Sequence, residues 1–204
     1  MIKYIRWVFT LLFAIFVLFV LYLEFGGKYI LNTFDKRSIT YEIKSNRKLP
    51  ENFILFYNTI YPNSLSSNSW NYRLSSLLKS GSSGKDCPCS QTAYRLFPVL
   101  EIHNKKGIDE FLTARYIERH FSQKECLAFN FSHFDFLKNG KGIFTVSKSL
   151  FQKELKDLKP LEMAEIVALY ENPVRYNRFR NPEKAQKRAE HFYTLYLNNF
   201  KTKN

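Results

Sequence analysis

From Trp7 to Leu23 the chain carries no charged side chain, and the run reads WVFTLLFAIFVLFVLYL. As a helix rising 1.5 Å per residue, this segment spans about 26 Å, and flanking Ile5 and Phe25 bring it near the ~30 Å of a bilayer core. A helix apolar on every face suits lipid better than a protein core, where one apolar stripe is enough. The run is long for a cleaved leader, and it closes on Leu-Tyr-Leu-Glu-Phe instead of small residues. Lys3 and Arg6 precede it, and Trp7 and Tyr22 stand at its two ends. The positive-inside rule therefore predicts a single-pass protein of the plasma membrane with a cytoplasmic N-terminus. Residues 1–27 are expected to form that N-terminus and anchor, and residues 28–204 one extracytoplasmic domain.

The 204 residues include 31 Lys+Arg and 18 Asp+Glu, a formal charge of +13. Lys3, Arg6 and Glu24 leave +1 in the anchor, so about +12 falls on the outer part. Near anionic lipid each such basic residue is favourable by about 1 kcal/mol. Nucleic acid is not the expected partner, because a translocated domain seldom meets any and no helix-turn-helix or RNP-like pattern occurs. With 20 Phe and 13 Tyr the chain can bury enough apolar surface to offset its ordering entropy, which excludes a disordered basic tail. The cysteines Cys87, Cys89 and Cys126, together with four His, lack zinc-ligand spacing, so no metal site is expected. Outside the membrane Cys126 can pair with either Cys87 or Cys89, leaving one thiol over.

Residues 28–50 read as mixed extended structure, since Ile39-Thr40-Tyr41-Glu42-Ile43 alternates at strand period. Leu49-Pro50 opens an apolar stretch from Phe53 to Tyr61, and Ser/Asn/Gly-rich loops are predicted at 62–69 and 80–85. The second half is helical in pattern. Ile108, Phe111, Leu112, Arg115 and Ile117 approximate one helix face over about 107–121. Pro160 stands where a first-turn proline belongs, and Asn172-Pro173 stops that segment. Asn181-Pro182-Glu183 signals another start, behind which Ala185, Ala189, Phe192, Tyr193 and Tyr196 form a single stripe expected to pack on a neighbouring helix.

Residues 158–199, opening LKPLEMAEIVALYENPVRYNRFRNPEKAQKR, resemble the end of the family-51 glycosyltransferase domain, the peptidoglycan transglycosylase of class A penicillin-binding proteins and monofunctional transglycosylases. Glu162, Ala164, Ala168, Pro173, Tyr176, Asn181-Pro182-Glu183, Ala185 and Arg188 fit the family pattern in order. Glu165 adds polarity, and Tyr176 is followed by Asn177-Arg178 without the usual proline. Upstream, Glu118 to Leu127 is similar to the segment before the family's Tyr-Leu-Asn. Gly140-Lys141-Gly142-Ile143 and Ser147 to Lys153 resemble its glycine turn and following helix. The likeness covers roughly residues 106–199 well and 49–105 faintly.

The resemblance implies a mainly α, lysozyme-like helical transglycosylase domain that polymerises lipid II while undecaprenyl pyrophosphate leaves. Its partners would be lipid II or glycan strands, membrane lipids and a cell-wall synthase. The one cofactor the resemblance suggests is a divalent cation accompanying the lipid diphosphate. Such chemistry needs a carboxylate to deprotonate the acceptor hydroxyl and cationic donors, or a metal, on the leaving group. By the resemblance Glu110 in Lys106-Gly107-Ile108-Asp109-Glu110 is the catalytic carboxylate that survives, and Lys106 replaces an arginine. Gln91 keeps one glutamine of a motif eroded to Lys85-Asp86-Cys87-Pro88-Cys89-Ser90-Gln91, and Lys106, Arg115 and Gln91 are the expected substrate-binding residues. The family's first carboxylate has no counterpart, since Asn58 stands about at its place and no acid occurs between Glu51 and Asp86. Losing a general base typically costs about 10²–10⁴ in rate. Two functions follow: a divergent glycosyltransferase, or a non-catalytic relative that binds precursor, glycan or a partner synthase. Arg188 is expected to pair with an acid of the fold, and Asp86 to be a turn residue.

Overall fold

The computed structural model describes residues 2–78 and 87–201, and among these regular structure is helical except for one β-bridge between Asp135 and Lys141. Helix α1 (Ile2–Phe25) contains a stretch, Tyr4–Phe25, long and apolar enough to cross a membrane. Its 22 residues span about 33 Å. From Tyr4 to Tyr22 its large apolar side chains lie exposed. After Gly26 a short α2 (Gly27–Ile30) lies against α7 (Gly107–His120). A Cβ on Gly27 would sit 2.2 Å from the Leu112 carbonyl oxygen, so only glycine allows this approach.

Residues 33–44, expected as extended, form helix α3 (Thr33–Lys44). Alternation at 39, 41 and 43 does not distinguish the two periods, because Ile39 and Ile43 also share a face at helical spacing. The structure buries Ile39 and Ile43 and turns Tyr41 outward, 73% exposed. The start is fixed by Asn32, whose Oδ1 accepts from the Asp35 N–H at 2.7 Å, with Asp35 in the first turn and Lys44 in the last.

Pro50 opens α4 (Glu51–Ile60). Helices α5 (Ser69–Leu78) and α6 (Pro88–Leu96) follow, without a clear periodic signature in the sequence. The expected loop at 80–85 and Asp86 lie outside the described residues. Beyond α7 come α8 (Gln123–Ser132), α9 (Ile143–Phe151), α10 (Pro160–Glu171) and α11 (Pro182–Lys201).

Helix α8 divides the core. It buries every residue from Cys126 to Phe131, as a helix enclosed on all sides must. Leu127, Ala128 and Phe131 join a cluster with α4, α9, α10 and α11. Cys126 and Phe129 join a second cluster with α3, α6 and α7. The turn from α8 to α9 needs Gly142, at φ +84°, where a Cβ would meet the Ser132 carbonyl at 2.7 Å. The α11 stripe packs as expected: Ala185, Ala189 and Phe192 are buried, and Tyr193 and Tyr196 close the cluster's edge. Arg188 forks onto Glu171 at 2.6 and 2.8 Å, the pairing with an acid that the sequence led one to expect.

Candidate active site

Helices α5, α6 and α7 enclose a cleft of about 320 Å³. Helix α5 contributes Ser69, Tyr72 and Arg73, α6 contributes Ser90, Gln91 and Tyr94, and α7 contributes Glu110, Phe111 and Ala114. The spacing explains the α7 set, since Glu110 and Ala114 share a face at i and i+4 and Phe111 borders it. Asp109 holds the start of this helix, where its carboxylate accepts from the Lys106 N–H at 2.7 Å. Glu110 therefore sits in the first turn, where the positive end of the helix dipole favours a carboxylate.

Within the cleft Arg73 donates to Glu110 Oε1 at 3.1 Å, with side chains 48% and 29% exposed. Gln91 is held from behind. Its Oε1 accepts from the Tyr170 hydroxyl at 2.7 Å, and Tyr170 stacks on Phe131 with ring centroids 4.1 Å apart. Burial pushes the Tyr170 phenol up to about 12, so it stays a donor at any physiological pH. The Gln91 amide N–H2 is thereby turned to other acceptors. The cleft thus offers one carboxylate, one guanidinium, a fixed amide, hydroxyls and aromatic faces, a set suited to a phosphorylated sugar. Among the described residues its one carboxylate is already paired with Arg73, so the donor set does not fit a resident divalent cation.

Comparison with known proteins bears on this helical site. A family profile described as Transglycosylase matches residues 89–196, more than half of the chain. The chain belongs to the transglycosylase family. Penicillin-binding protein 1A of Pseudomonas aeruginosa is 32% identical over 114 residues, and that of Aquifex aeolicus 30% identical over 118. These alignments take in 55% and 58% of this chain but only 14% and 16% of the relatives, so the chain spans a small part of their length. The transglycosylase match contains the α6 and α7 walls of the cleft, while Tyr72 and Arg73 on α5 precede it.

The expected site residues divide. Glu110 and Gln91 meet in the cleft. Lys106 stands just before α7, exposed, and does not line it. Arg115 faces α1 instead. Its guanidinium donates to both carboxylate oxygens of Glu24, at 3.1 and 2.6 Å, and to Glu118 three residues on. Burial opposes its charge, but these two acids outweigh that and raise its affinity for the proton further. Asn58, set by the resemblance near the missing carboxylate, lies on α4 and is not in the cleft wall; the Ser64 hydroxyl approaches its Oδ1 at 3.5 Å.

Glu118 and Glu24 are residues that sequence reasoning did not single out. Glu118 Oε1 accepts from the Ser69 N–H at 2.7 Å, which fixes the start of α5, and from the Cys87 thiol at 3.3 Å. Glu24 also accepts from the Trp70 indole N–H at 3.0 Å, and Trp70 packs edge-on against Phe111 of the cleft. A chain of contacts thus runs from the last turn of α1 to the cleft wall. Arg73 and Tyr72 carried no signal either, since their roles follow from how α5 is tied down by Glu118. Of the two cysteine pairings left open, the structure has Cys89–Cys126, which staples cleft helix α6 to α8. Cys87 remains a thiol that burial pushes up to about 11, which keeps it unreactive.

Proposed function

We propose that this transglycosylase-family chain binds the lipid-linked disaccharide precursor of peptidoglycan in the α5–α6–α7 cleft, as a divergent glycosyltransferase. The observation that carries the reading is the meeting of Glu110, Arg73 and Gln91 in one cleft. In the transfer, an acceptor sugar hydroxyl attacks the donor's anomeric carbon. The new C–O bond forms as the bond to the diphosphate oxygen breaks, and the hydroxyl proton passes to a carboxylate. Among the described residues lining the cleft, Glu110 is the carboxylate available. The arriving diphosphate competes for the Arg73 guanidinium, a better bidentate acceptor than a single carboxylate oxygen, and so releases Glu110 to take the proton.

The setting belongs to the same reading. Helix α1 crosses the plasma membrane with its N-terminus in the cytoplasm, and residues 28–204 form the domain outside. Lys3 and Arg6 before the apolar run support this orientation. The Cys89–Cys126 disulfide supports it too, because such bonds persist in oxidising compartments. A second reading, a protein that holds precursor without polymerising it, is favoured by the Arg73–Glu110 ion pair, which already occupies this carboxylate.

Glycan polymerisation and lipid II binding by the full-length protein, beside Glu110→Gln and Arg73→Ala, decide between them. The enzyme reading expects polymer from the wild type, a fall of about 10²-fold or more in Glu110→Gln, and retained binding. Binding about tenfold weaker in Arg73→Ala is expected under either reading. Binding without polymer leaves the precursor-holding role. No binding by the wild type removes both.

A further inference from the structure

A groove of about 430 Å³ opens where α1 ends, lined by Glu24 and Phe25 of α1, Lys28 of α2, and Tyr116, Arg119 and His120 of α7. Tyr116 is also a wall of an adjoining groove on α3 that carries Lys36, Arg37 and Lys44. Two cations, Lys28 and Arg119, therefore line the groove at the end of a helix whose apolar length matches a bilayer, and Lys36, Arg37 and Lys44 line the groove that shares Tyr116 with it. Among the described residues none of the five closes an ion pair, although the charge of Arg119 acts on Glu24 and that of Lys44 on Glu125; Glu24 itself is held by Arg115 and Trp70. The Arg119 guanidinium carbon lies over the Phe25 ring, 4.1 Å from its centroid, which holds the guanidinium beside the last apolar turn. Phe25 and Glu24 set the depth: residues that close a spanning helix sit at the headgroup layer.

We propose that this paired groove holds the phosphate of an anionic phospholipid headgroup, gripped by Lys28 and Arg119 and flanked by Lys36 and Arg37. Arg119 supplies a forked donor suited to phosphate oxygens and Lys28 a point charge. The groove lies on the opposite side of α7's Arg115–Glu24 pair from the cleft residues Glu110 and Ala114, so the bound lipid is distinct from the sugar precursor. The inference rests on the reading that α1 spans the bilayer, and it is independent of whether the cleft is catalytic.

The test is native mass spectrometry and lipid titration of the full-length protein in detergent, with phosphatidylglycerol against phosphatidylcholine. Lys28→Ala/Arg119→Ala is the test variant, and Lys141→Ala/Lys156→Ala a charge-matched control. At about fivefold per basic residue, the test variant should bind phosphatidylglycerol roughly 30-fold more weakly, with the control unchanged. Equal retention of the two lipids by the wild type, or an equal loss in the control, would overturn the groove. Reconstitution into phosphatidylcholine vesicles keeps the premise separate. A wild type that stays out of those vesicles defeats the spanning helix itself, and one that enters them while failing the titration defeats only the lipid site.

Discussion

Glu110 and Arg115 are five residues apart on one helix, and that spacing sends them to different work. Five residues turn a helix by about 140° beyond a full circle, so the carboxylate enters the cleft while the guanidinium faces α1. Arg115 is 12% exposed and Glu118 6% exposed. Replacing Arg115 by Met strands two acids in a half-buried site, and a loss of about 3–5 kcal/mol in unfolding free energy is expected from chemical denaturation in detergent. Lipid II binding per folded molecule should change less than about twofold, which a substrate-contacting arginine would not permit. Tyr170→Phe probes the other side of the cleft. Removing the hydroxyl that orients Gln91 should cost about 1 kcal/mol in stability and weaken precursor binding several-fold, measured on the same preparations.

Among elements, α8 shows how end signals and packing cooperate. Ser122 Oγ accepts from the Glu125 N–H, and the Glu125 carboxylate accepts from the Ser122 N–H at 2.8 Å, a reciprocal cap. The Ser122 backbone N–H holds the Glu125 carboxyl below its ordinary range. A group whose folded pKa is depressed stabilises fully above its unfolded value, about 4.3, and loses that contribution as the pH falls through the folded one. Glu125→Ala should therefore cost about 1 kcal/mol near pH 7, with the gap to wild type closing as denaturation is repeated toward pH 3. Elsewhere two departures from the family pattern explain each other. Arg178, in the place of the expected proline, forks onto Glu165, the added acid, with one contact at 2.7 Å. Buried Asn177 holds the turn by accepting from the Phe179 N–H at 2.9 Å.

At the scale of the whole molecule, two ties join α1, cleft and core: the Glu24–Arg115–Glu118 chain and the Cys89–Cys126 bridge. The bridge closes a 37-residue separation, for which the loop-entropy relation gives about 4 kcal/mol. Cys126→Ser should lower the denaturation midpoint accordingly, and reductant should do the same to the wild type while Cys87 stays inaccessible to thiol reagents until unfolding. Much of the architecture was legible in the chain, because it is written in local terms. The apolar length of α1, the prolines at 160 and 182 and the α11 stripe each act within a few residues, where period and end chemistry decide. The α3 segment was misread for the same reason: isoleucines four apart satisfy both periods, and only packing against α8 chose the helix. The cleft is different in kind. Glu110 was recognisable through its motif, but Arg73 reaches it across 37 positions, and Arg115 leaves it for an acid 91 positions away. Partnership between distant side chains depends on which faces the core turns toward each other, and no local pattern encodes that.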